Sequence, residues 1–578
     1  MAGLAAALWL LGLFAAAPAL RTSARYAFVD RLRDALILGI AIPFALGLIH
    51  ALYPATCWLV LAVCIAIAYR RAPTMPRDDR ASEAPRPPYL LVAALAAIAW
   101  PPLMRPLLDG DSLSYHLPNA AAWVHAHSLW TQTTRYWWYP PSSELFASAL
   151  YAVGGPYAVP WSGIGVIALL GFRIVAWARD EFGASPLLAD GLAAATVTVL
   201  PIALQAGTLQ NDVWLAAFWL ESLWAIGREN GAAMRCIAVT ALLKPQGWLF
   251  AAIALVTTRA RLRLWLAAAG AVALWALHDA LAWGYAVVPP RSTSLGAAGS
   301  SIAAHGAPAL ALLAQVALHA SPFALVALLA ALFGPLSKAH RRLGWAACAA
   351  ALVFLALPFG YATDVAQLAT GASLRFAAPA IAAGALLVLP IAVRVPLTAT
   401  AVLALCALYG SGLVLALFYN DAPTLLALPV ALIAAGAVAL ARRLRRPWPV
   451  AAAIVAVALA ANLLAASHPV DFYADALRVR GHSTGLYSWL ARAQPPAVGG
   501  WGLAIGAVNV LAPLARTLEL PDAGACALAA RRQLLLVAVA EEGRPDSFNA
   551  ARLSAARRCG SVRYDDGIAV IVAPRASP

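Results

Sequence analysis

The sequence has almost no lysine: Lys244 and Lys338 are the only two, and charged residues of all kinds make up 12% of its 578 positions. A soluble domain carries roughly 25% charged and about 45–50% apolar residues. Here 62% are apolar and the mean hydropathy is +0.76, which excludes an ordinary soluble fold. Cysteine is scarce as well. The 7 cysteines form no CxxC or Cys/His metal spacing. Five lie in apolar runs, where the thiol acts as a small hydrophobe, while Cys526 and Cys559 fall near the C-terminus and can form a disulfide or stay as thiols. No GxGxxG or Walker A pattern is present, so nucleotide binding has no support. No unit of 20–50 residues repeats and no inverted pair of Gly/Pro-broken spans is seen, which argues against a secondary transporter.

What the sequence does have is apolar runs long enough to cross a bilayer. A span needs about 20 mostly apolar residues, and such runs recur from Gly3 to Ala466 and then stop. The net charge of +15 would suggest a polyanion partner in a soluble protein, but here the arginines sit in short segments between apolar runs. Topology accounts for them, and no nucleic-acid partner is implied. The bias to Arg and Ala is that of a GC-rich bacterial coding sequence. Basic segments at Arg21–Arg33, Arg70–Arg86, Arg173–Arg179, Arg228–Arg235, Arg259–Arg263, Lys338–Arg342, Arg394 and Arg442–Arg446 read as cytoplasmic. They alternate with base-poor segments at Leu108–Pro156, Gly207–Asp212, Tyr285–His305, Tyr361–Leu374 and Asn420–Pro423, where Arg135, Arg291 and Arg375 are the main outer cations.

The fold class expected is therefore a polytopic α-helical membrane protein of about sixteen spans. These fall near 3–20, 35–51, 55–69, 89–107, 157–179, 186–207, 213–227, 232–243, 246–258, 264–285, 308–335, 343–360, 375–393, 397–418, 424–441 and 448–466. The first run lacks the basic segment of a signal peptide and reads as a span with its N-terminus outside. The short pair 232–243 and 246–258 reads as two half-crossings around Lys244-Pro245-Gln246-Gly247. Residues 1–88 are additional spans with a cytoplasmic loop, 89–466 the main transmembrane domain with an outer loop at 108–156, and 467–578 a small α/β domain outside the cytoplasm. In that last part, Asp471–Arg492 reads as helix, and Leu503–Ala507, Leu534–Val539 and Ile568–Val572 as β runs. Asp565-Asp566-Gly567 supplies a hairpin turn after Val562–Tyr564.

The outer loop holds the densest chemistry: LLDGDSLSYHLPNAAAWVHAHSLWTQTTRYWWYPPSSELFASALY over 107–151. Pro118 suits a first helical turn, and the residues to about Leu129 are apolar enough to lie along the membrane interface. Trp123, Trp130, Trp137 and Trp138 suit the headgroup level, and the aromatic run is an interface belt or a sugar-stacking platform. Arg105 stands four residues before Asp109, a spacing that allows an ion pair. Asp111 has no sequence-local cation and reads either as a general base at the water boundary or as a helix cap. His116 is a ligand, a hydrogen-bond donor or a structural imidazole. Glu144 orients a substrate or a partner of Asp111, or caps a helix.

At these residues the chain resembles bacterial GT-C-type membrane glycosyltransferases, the broad superfamily of protein mannosyltransferases and aminoarabinose transferases. The carrying residues are Asp111-Ser-Leu-Ser-Tyr115-His116-Leu117-Pro118, Trp123, Tyr139-Pro140-Pro141 with Glu144, then Gln210-Asn211-Asp212, Lys244-Pro245-Gln246-Gly247 and Arg375-Phe376. The likeness runs over most of Tyr89–Ala466. Two features depart from the pattern: three spans precede Tyr89, and the acids read Asp-Gly-Asp rather than adjacent. The resemblance implies a sugar donor carried on a polyprenyl phosphate, membrane lipids as surroundings, and an inverting transfer at the outer face of the cytoplasmic membrane. Asp111 would be the base, with Asp109 the other candidate. Arg375 and then Lys244 would hold the lipid phosphate, and Tyr115, His116, Tyr139, Asn211 and Asp212 would line the site. Some relatives use a divalent metal, but no ligand set for one is visible. The acceptor is an envelope glycan, lipid or protein. The competing readings are a transporter or flippase of lipid-linked saccharides and a non-catalytic envelope scaffold.

Overall fold

The computed structural model describes residues 2–20, 27–71, 87–286, 306–308, 311, 338–356, 374–403, 427–467 and 484–575, except 106, 108, 132–133, 135, 229–230, 395–396, 398, 402, 445, 447, 501–502, 522–523 and 541–545. Most of the expected spans 308–335 and 397–418, the outer segments 287–305 and 361–373, Asn420–Pro423, Arg135, Arg291 and the expected helix over 471–483 lie outside those residues.

The chain is mainly helical. The first helices are α1 (Ala2–Ala16), α2 (Ala27–Leu48), α3 (Pro54–Arg71) and α4 (Tyr89–Leu103). The outer loop contributes a π-helical turn, Ser112–His116, then α5 (Leu117–His125) and α6 (Ser142–Gly154). There follow α7 (Trp161–Glu181), α8 (Pro186–Val197), α9 (Leu200–Ala203), α10 (Asp212–Gly227), α11 (Ala233–Ala241), α12 (Gly247–Thr258) and α13 (Leu262–Trp283). Further helices include Lys338–Ala356, Ala378–Leu387, Ala427–Arg443 and Trp448–Ser467. Among the described residues, Ala2–Leu20, Pro54–Arg71, Trp161–Glu181 and Leu262–Trp283 are long and apolar enough to cross a membrane. The run expected as one span at 186–207 is bent by 68° between Pro186–Val197 and Leu200–Gly207. The described helices do not confirm the expected count of sixteen crossings. The break falls at Val199, which is extended with ψ 137 and caps the second segment, while Pro201 sits in that segment's first turn, where its missing N–H is tolerated.

Membrane-facing surfaces are legible in spacing. On α3, Leu59, Val63 and Ile67 recur every four residues and are exposed, and on α13 so are Leu266, Leu274, Leu277 and Leu281. Such stripes belong against hydrocarbon rather than water. Inside the bundle, charge is held in pairs. Arg33 on α2 bonds Asp30 and Asp34 at 2.9 Å each, and Arg173 on α7 bonds Asp30 at 2.8 Å and Glu221 of α10 at 2.6 Å. Arg235 of α11 approaches Asp34 at 3.3 Å. Arg33, read from the sequence as a loop cation, is therefore buried within a helix, and Arg173, expected near the cytoplasmic end of the span 157–179, is buried within α7. Helix α2 starts earlier than hydropathy alone indicates, because Asp30 and Asp34 on the same helix neutralise Arg33.

The C-terminal part carries a five-stranded sheet in the order β2-β1-β3-β5-β4, built from β1 (Ala497–Gly500), β2 (Arg516–Glu519), β3 (Leu535–Val539), β4 (Gly560–Asp565) and β5 (Ala569–Pro574). The first three strands run parallel, and β5 pairs antiparallel with β3 and β4. The β4–β5 turn is Asp565-Asp566-Gly567, with Gly567 at φ 85. Leu503–Ala507, expected as a strand, belongs to the helix Leu503–Leu511, and β1 and β2, which flank it, were not foreseen. A short apolar run has no period of its own that separates strand from helix; here it is the crossover between two parallel strands, and such a connection is usually helical. Cys526 and Cys559 form a disulfide.

This sheet unit is seated on the loop over 108–156. Gly506, on the helix Leu503–Leu511, lies so close to Leu113 that an added Cβ would stand 2.1 Å from its carbonyl oxygen. Pro513 O accepts from the Tyr151 hydroxyl at 2.8 Å and lies 2.8 Å from His125 Nε2. Helix α5 is consequently buried from Leu117 to Val124. It does not lie along the membrane interface, and Trp123 and Trp138 are packed inside protein (3% and 7% exposed) rather than at headgroups.

Removing one partner of a buried ion network leaves the other charge uncompensated, at a cost of about 3–5 kcal/mol. Glu221→Ala should lower the thermal unfolding midpoint of the detergent-solubilised protein far more than Arg557→Ala, which breaks the exposed Arg557–Asp565 pair of the sheet unit; equal shifts would count against a stabilising network.

Candidate functional site

Helix α4 ends at Leu103, so the Arg105–Asp109 spacing is not helical. Asp109 Oδ2 instead accepts from the Ser112 backbone N–H at 2.9 Å and from Gln210 at 3.4 Å. Asp109 is thus the cap of the π-helical turn, and burial pushes its carboxyl above the ordinary carboxylate range, against the opposing bond from Ser112. Asp111, at the N-terminal end of the same turn, makes no capping bond with its side chain. Its Oδ2 accepts from Arg375, a residue 264 positions away in sequence. The cation that Asp111 lacks locally arrives from the short 3-10 turn Arg375–Ala377, which leads into the helix Ala378–Leu387.

Arg375 is shared. Its Nε lies 3.4 Å from Asp212 Oδ2, while Asp212 Oδ1 accepts from Lys244. Asp212 opens α10, and Lys244 stands in the turn between α11 and α12, which are only 9 and 12 residues long. The turn is fixed from the other side by Asn211, whose amide donates to Leu243 O at 3.0 Å. The Phe376 ring lies under both cations, at 4.7 Å from Lys244 Nζ and 4.9 Å from the Arg375 guanidinium. The order Asp111–Arg375–Asp212–Lys244 alternates in sign and sums to zero. Exposure falls along it: the Asp111 and Arg375 side chains are 31% and 19% accessible, whereas Asp212 and Lys244 are 5% and 8%. The outer pair is thus the one a solute reaches first.

His116 and Glu144 form a second unit beside it. Glu144, in the first turn of α6, has Oε1 2.5 Å from His116 Nδ1 and Oε2 accepting from Ser143 at 2.8 Å. Both oxygens are thereby occupied and buried, so Glu144 orients His116 rather than partnering Asp111. The Tyr115 ring leans on His116 at 4.0 Å, on Tyr136 at 4.6 Å and on Tyr139 at 5.8 Å. Burial holds the Tyr115 phenol well above its usual value, so it remains a neutral hydroxyl. All ten residues singled out from the sequence fall in this one neighbourhood. Tyr136 and Ser143 were not foreseen, since a tyrosine in an aromatic run and a serine before a glutamate carry no distinguishing spacing.

Among the described residues no three His, Cys, Asp or Glu side chains are grouped to hold a metal ion. Asp111 and Asp212 are already taken by guanidinium and ammonium groups, a donor set that a divalent cation would have to break. The residues present do not fit a resident metal.

No family model matches the chain, and no curated protein matches it. Two solved structures do. One is described as the crystal structure of ArnT from Cupriavidus metallidurans bound to undecaprenyl phosphate; it is 16% identical, covers 85% of this chain and 98% of its own, and has a TM-score of 0.49. The other, ArnT from Cupriavidus metallidurans in the apo state, is 17% identical over the same shares, with a TM-score of 0.43. Likeness at this level assigns no residue a role.

If Asp212 is the bridge between two cations, Asp212→Asn should destabilise the protein by about 3 kcal/mol, the cost of an unpaired buried charge. Adding Lys244→Met to that variant should recover part of the loss, because one stranded cation is removed. Strictly additive unfolding midpoints in the two single variants and the double variant would show that the pair does not couple.

Proposed function

We propose that the protein is a membrane glycosyltransferase that takes a sugar from a polyprenyl-phosphate donor at the outer face of the cytoplasmic membrane. In this reading residues 89–466 form the catalytic membrane domain, 1–88 add spans, and 467–578 lie on the outer side. The observation that supports it most directly is the Asp111–Arg375 pair, partly open to solvent, backed by the buried Asp212–Lys244 pair.

The chemistry follows from what such a pair does when a phosphate arrives. A guanidinium presents a planar fork suited to two phosphate oxygens. The donor phosphodiester competes with Asp111 for Arg375, and the displaced carboxylate is left beside the anomeric carbon with a free oxygen. The acceptor hydroxyl attacks that carbon and a new C–O bond forms. Its proton passes to Asp111, and the bond electrons leave with the phosphate oxygen. The leaving polyprenyl phosphate gains one negative charge, which Arg375 and Lys244 stabilise where it develops. A single displacement of this kind inverts the anomeric centre. Asp109 is less suited as the base because its Oδ2 closes the turn onto Ser112 and Gln210 and its Oδ1 is buried. Tyr115 and Tyr139 offer ring surfaces to the sugar, His116 and Glu144 fix that wall, and Asn211 holds the Lys244 turn in place.

Positioned general-base catalysis contributes about 10²–10⁴-fold. In proteoliposomes supplied with undecaprenyl-phosphate-linked sugars, Asp111→Asn should lower kcat by about that factor, and Asp109→Asn by less than about tenfold. Arg375→Ala should raise the KM for donor as well as lower kcat. Full activity of Asp111→Asn would remove the base assignment, and sugar flux across the vesicle without transfer would replace the enzyme reading with a transporter.

A further inference from the structure

Away from the charged chain lies a second group of buried polar side chains. His278 and Asp279 sit near the C-terminal end of α13, about one turn before its last residue. They are 5% and 1% exposed, and His278 Nδ1 stands 3.1 Å from Asp279 Oδ1. Among the described residues, the remaining atoms of the pair, His278 Nε2 and Asp279 Oδ2, are buried without a hydrogen-bond partner. No Arg or Lys among those residues pairs with Asp279. An ionisable side chain left in this state near a bilayer is costly and rare, and it ordinarily marks a functional site.

The surroundings are aromatic. The His278 ring is flanked by Trp275 at 4.4 Å and by Trp130 at 4.7 Å. Both indoles are anchored: Trp275 Nε1 donates to Trp138 O at 3.4 Å, and Trp130 Nε1 to Leu48 O at 2.8 Å. From Trp138 the rings continue through Tyr139 at 4.5 Å to Tyr115 and His116. An aromatic wall thus runs from the Asp111 neighbourhood to Trp138, whose carbonyl meets Trp275 beside the His278–Asp279 pair.

We propose that His278 and Asp279 form a hydroxyl-binding subsite for a saccharide acceptor; the proposal rests on the glycosyl-transfer reading above. With Nδ1–H donated to Asp279 Oδ1, His278 Nε2 is left as one unpaired lone-pair acceptor and Asp279 Oδ2 as another. Two unpaired acceptors on successive residues call for a ligand with several hydroxyl donors, which a sugar supplies. The donor phosphate belongs with Arg375 and Lys244, and the His278–Asp279 pair has no cation to receive one. The ligand here is therefore the sugar that accepts, reaching along the wall from the residue that reacts. Where a site is built to bond hydroxyls, its polar atoms are left unpaired in the empty protein.

The test uses the purified full chain in detergent and follows tryptophan fluorescence and thermal unfolding. The probes are undecaprenyl phosphate, undecaprenyl-phosphate-linked arabinose and mannose, and free arabino-, manno- and gluco-oligosaccharides. The wild type should bind undecaprenyl phosphate and at least one oligosaccharide. Asp279→Asn and His278→Gln should weaken that oligosaccharide about tenfold or more, as expected for a lost buried hydrogen bond. They should keep undecaprenyl phosphate affinity, and Asp279→Asn should unfold at the same temperature or higher, since a buried charge is removed. Unchanged oligosaccharide affinity in both variants, or no oligosaccharide binding by the wild type, overturns the subsite. So does weakening confined to the lipid-linked sugars, which gives the pair to the donor, and so does loss of undecaprenyl phosphate affinity together with stability, which makes the pair structural. Failure of the wild type to bind undecaprenyl phosphate, with oligosaccharide binding intact and sensitive to Asp279→Asn, instead removes the donor reading and leaves a saccharide site.

Discussion

Arg375 holds two carboxylates from distant parts of the chain, and much of the site's geometry depends on that sharing. Asp111 reaches it from the outer loop and Asp212 from the start of α10. Lys244 completes the set from the turn between two short helices. None of these charges has an acceptable environment alone, because an unpaired ion in a helical bundle loses its hydration without compensation. Together they are neutral, and their burial deepens from Asp111 inward. The arrangement keeps one exchangeable partner, Asp111, at the open end and two fixed ones behind it.

The same logic governs the opposite part of the bundle. Asp30, Arg33, Asp34, Arg173 and Glu221 tie α2, α7 and α10 together through fully enclosed pairs. Helix α10 belongs to both clusters, with Asp212 at its first residue and Glu221 inside it. Nine residues of helix separate the two, about 13 Å of rise. A rigid element pinned by ion pairs at both places holds Asp212 at a set depth relative to Arg375. Precision at the charged site is in this way inherited from packing on the far side.

Much of this was legible in the sequence where chemistry is local. Apolar runs announced helices, and Asp565-Asp566-Gly567 announced a hairpin. The outer loop announced a site because acids, histidines and aromatics are dense there. What was not legible depended on long-range contact. Asp111 shows no cation nearby because its partner is Arg375, and Arg33 looks like a loop charge until Glu221 of α10 approaches it. Leu503–Ala507 is too short for periodicity to tell strand from helix. Trp123 and Trp138, which suit a headgroup belt, are packed inside protein instead. A carboxylate inside an apolar run, as at Glu221 and Asp279, was the one signal available for the hidden pairs.

The missing side chain at Gly506 lets the C-terminal helix rest on the backbone of Leu113, within the turn that carries Asp111. The contact joins segments that are far apart along the chain. His125 and Pro513, which meet at the same seam, are 388 residues apart, an interval of about 20–80 s at ordinary translation rates. During that time the loop over 108–156 lacks the surface it packs against. The chain thus carries a built-in delay: its acidic turn gains this support only after the sheet unit has been made and folded, so a chain interrupted before Pro513 holds Asp111, Asp212, Lys244 and Arg375 without it.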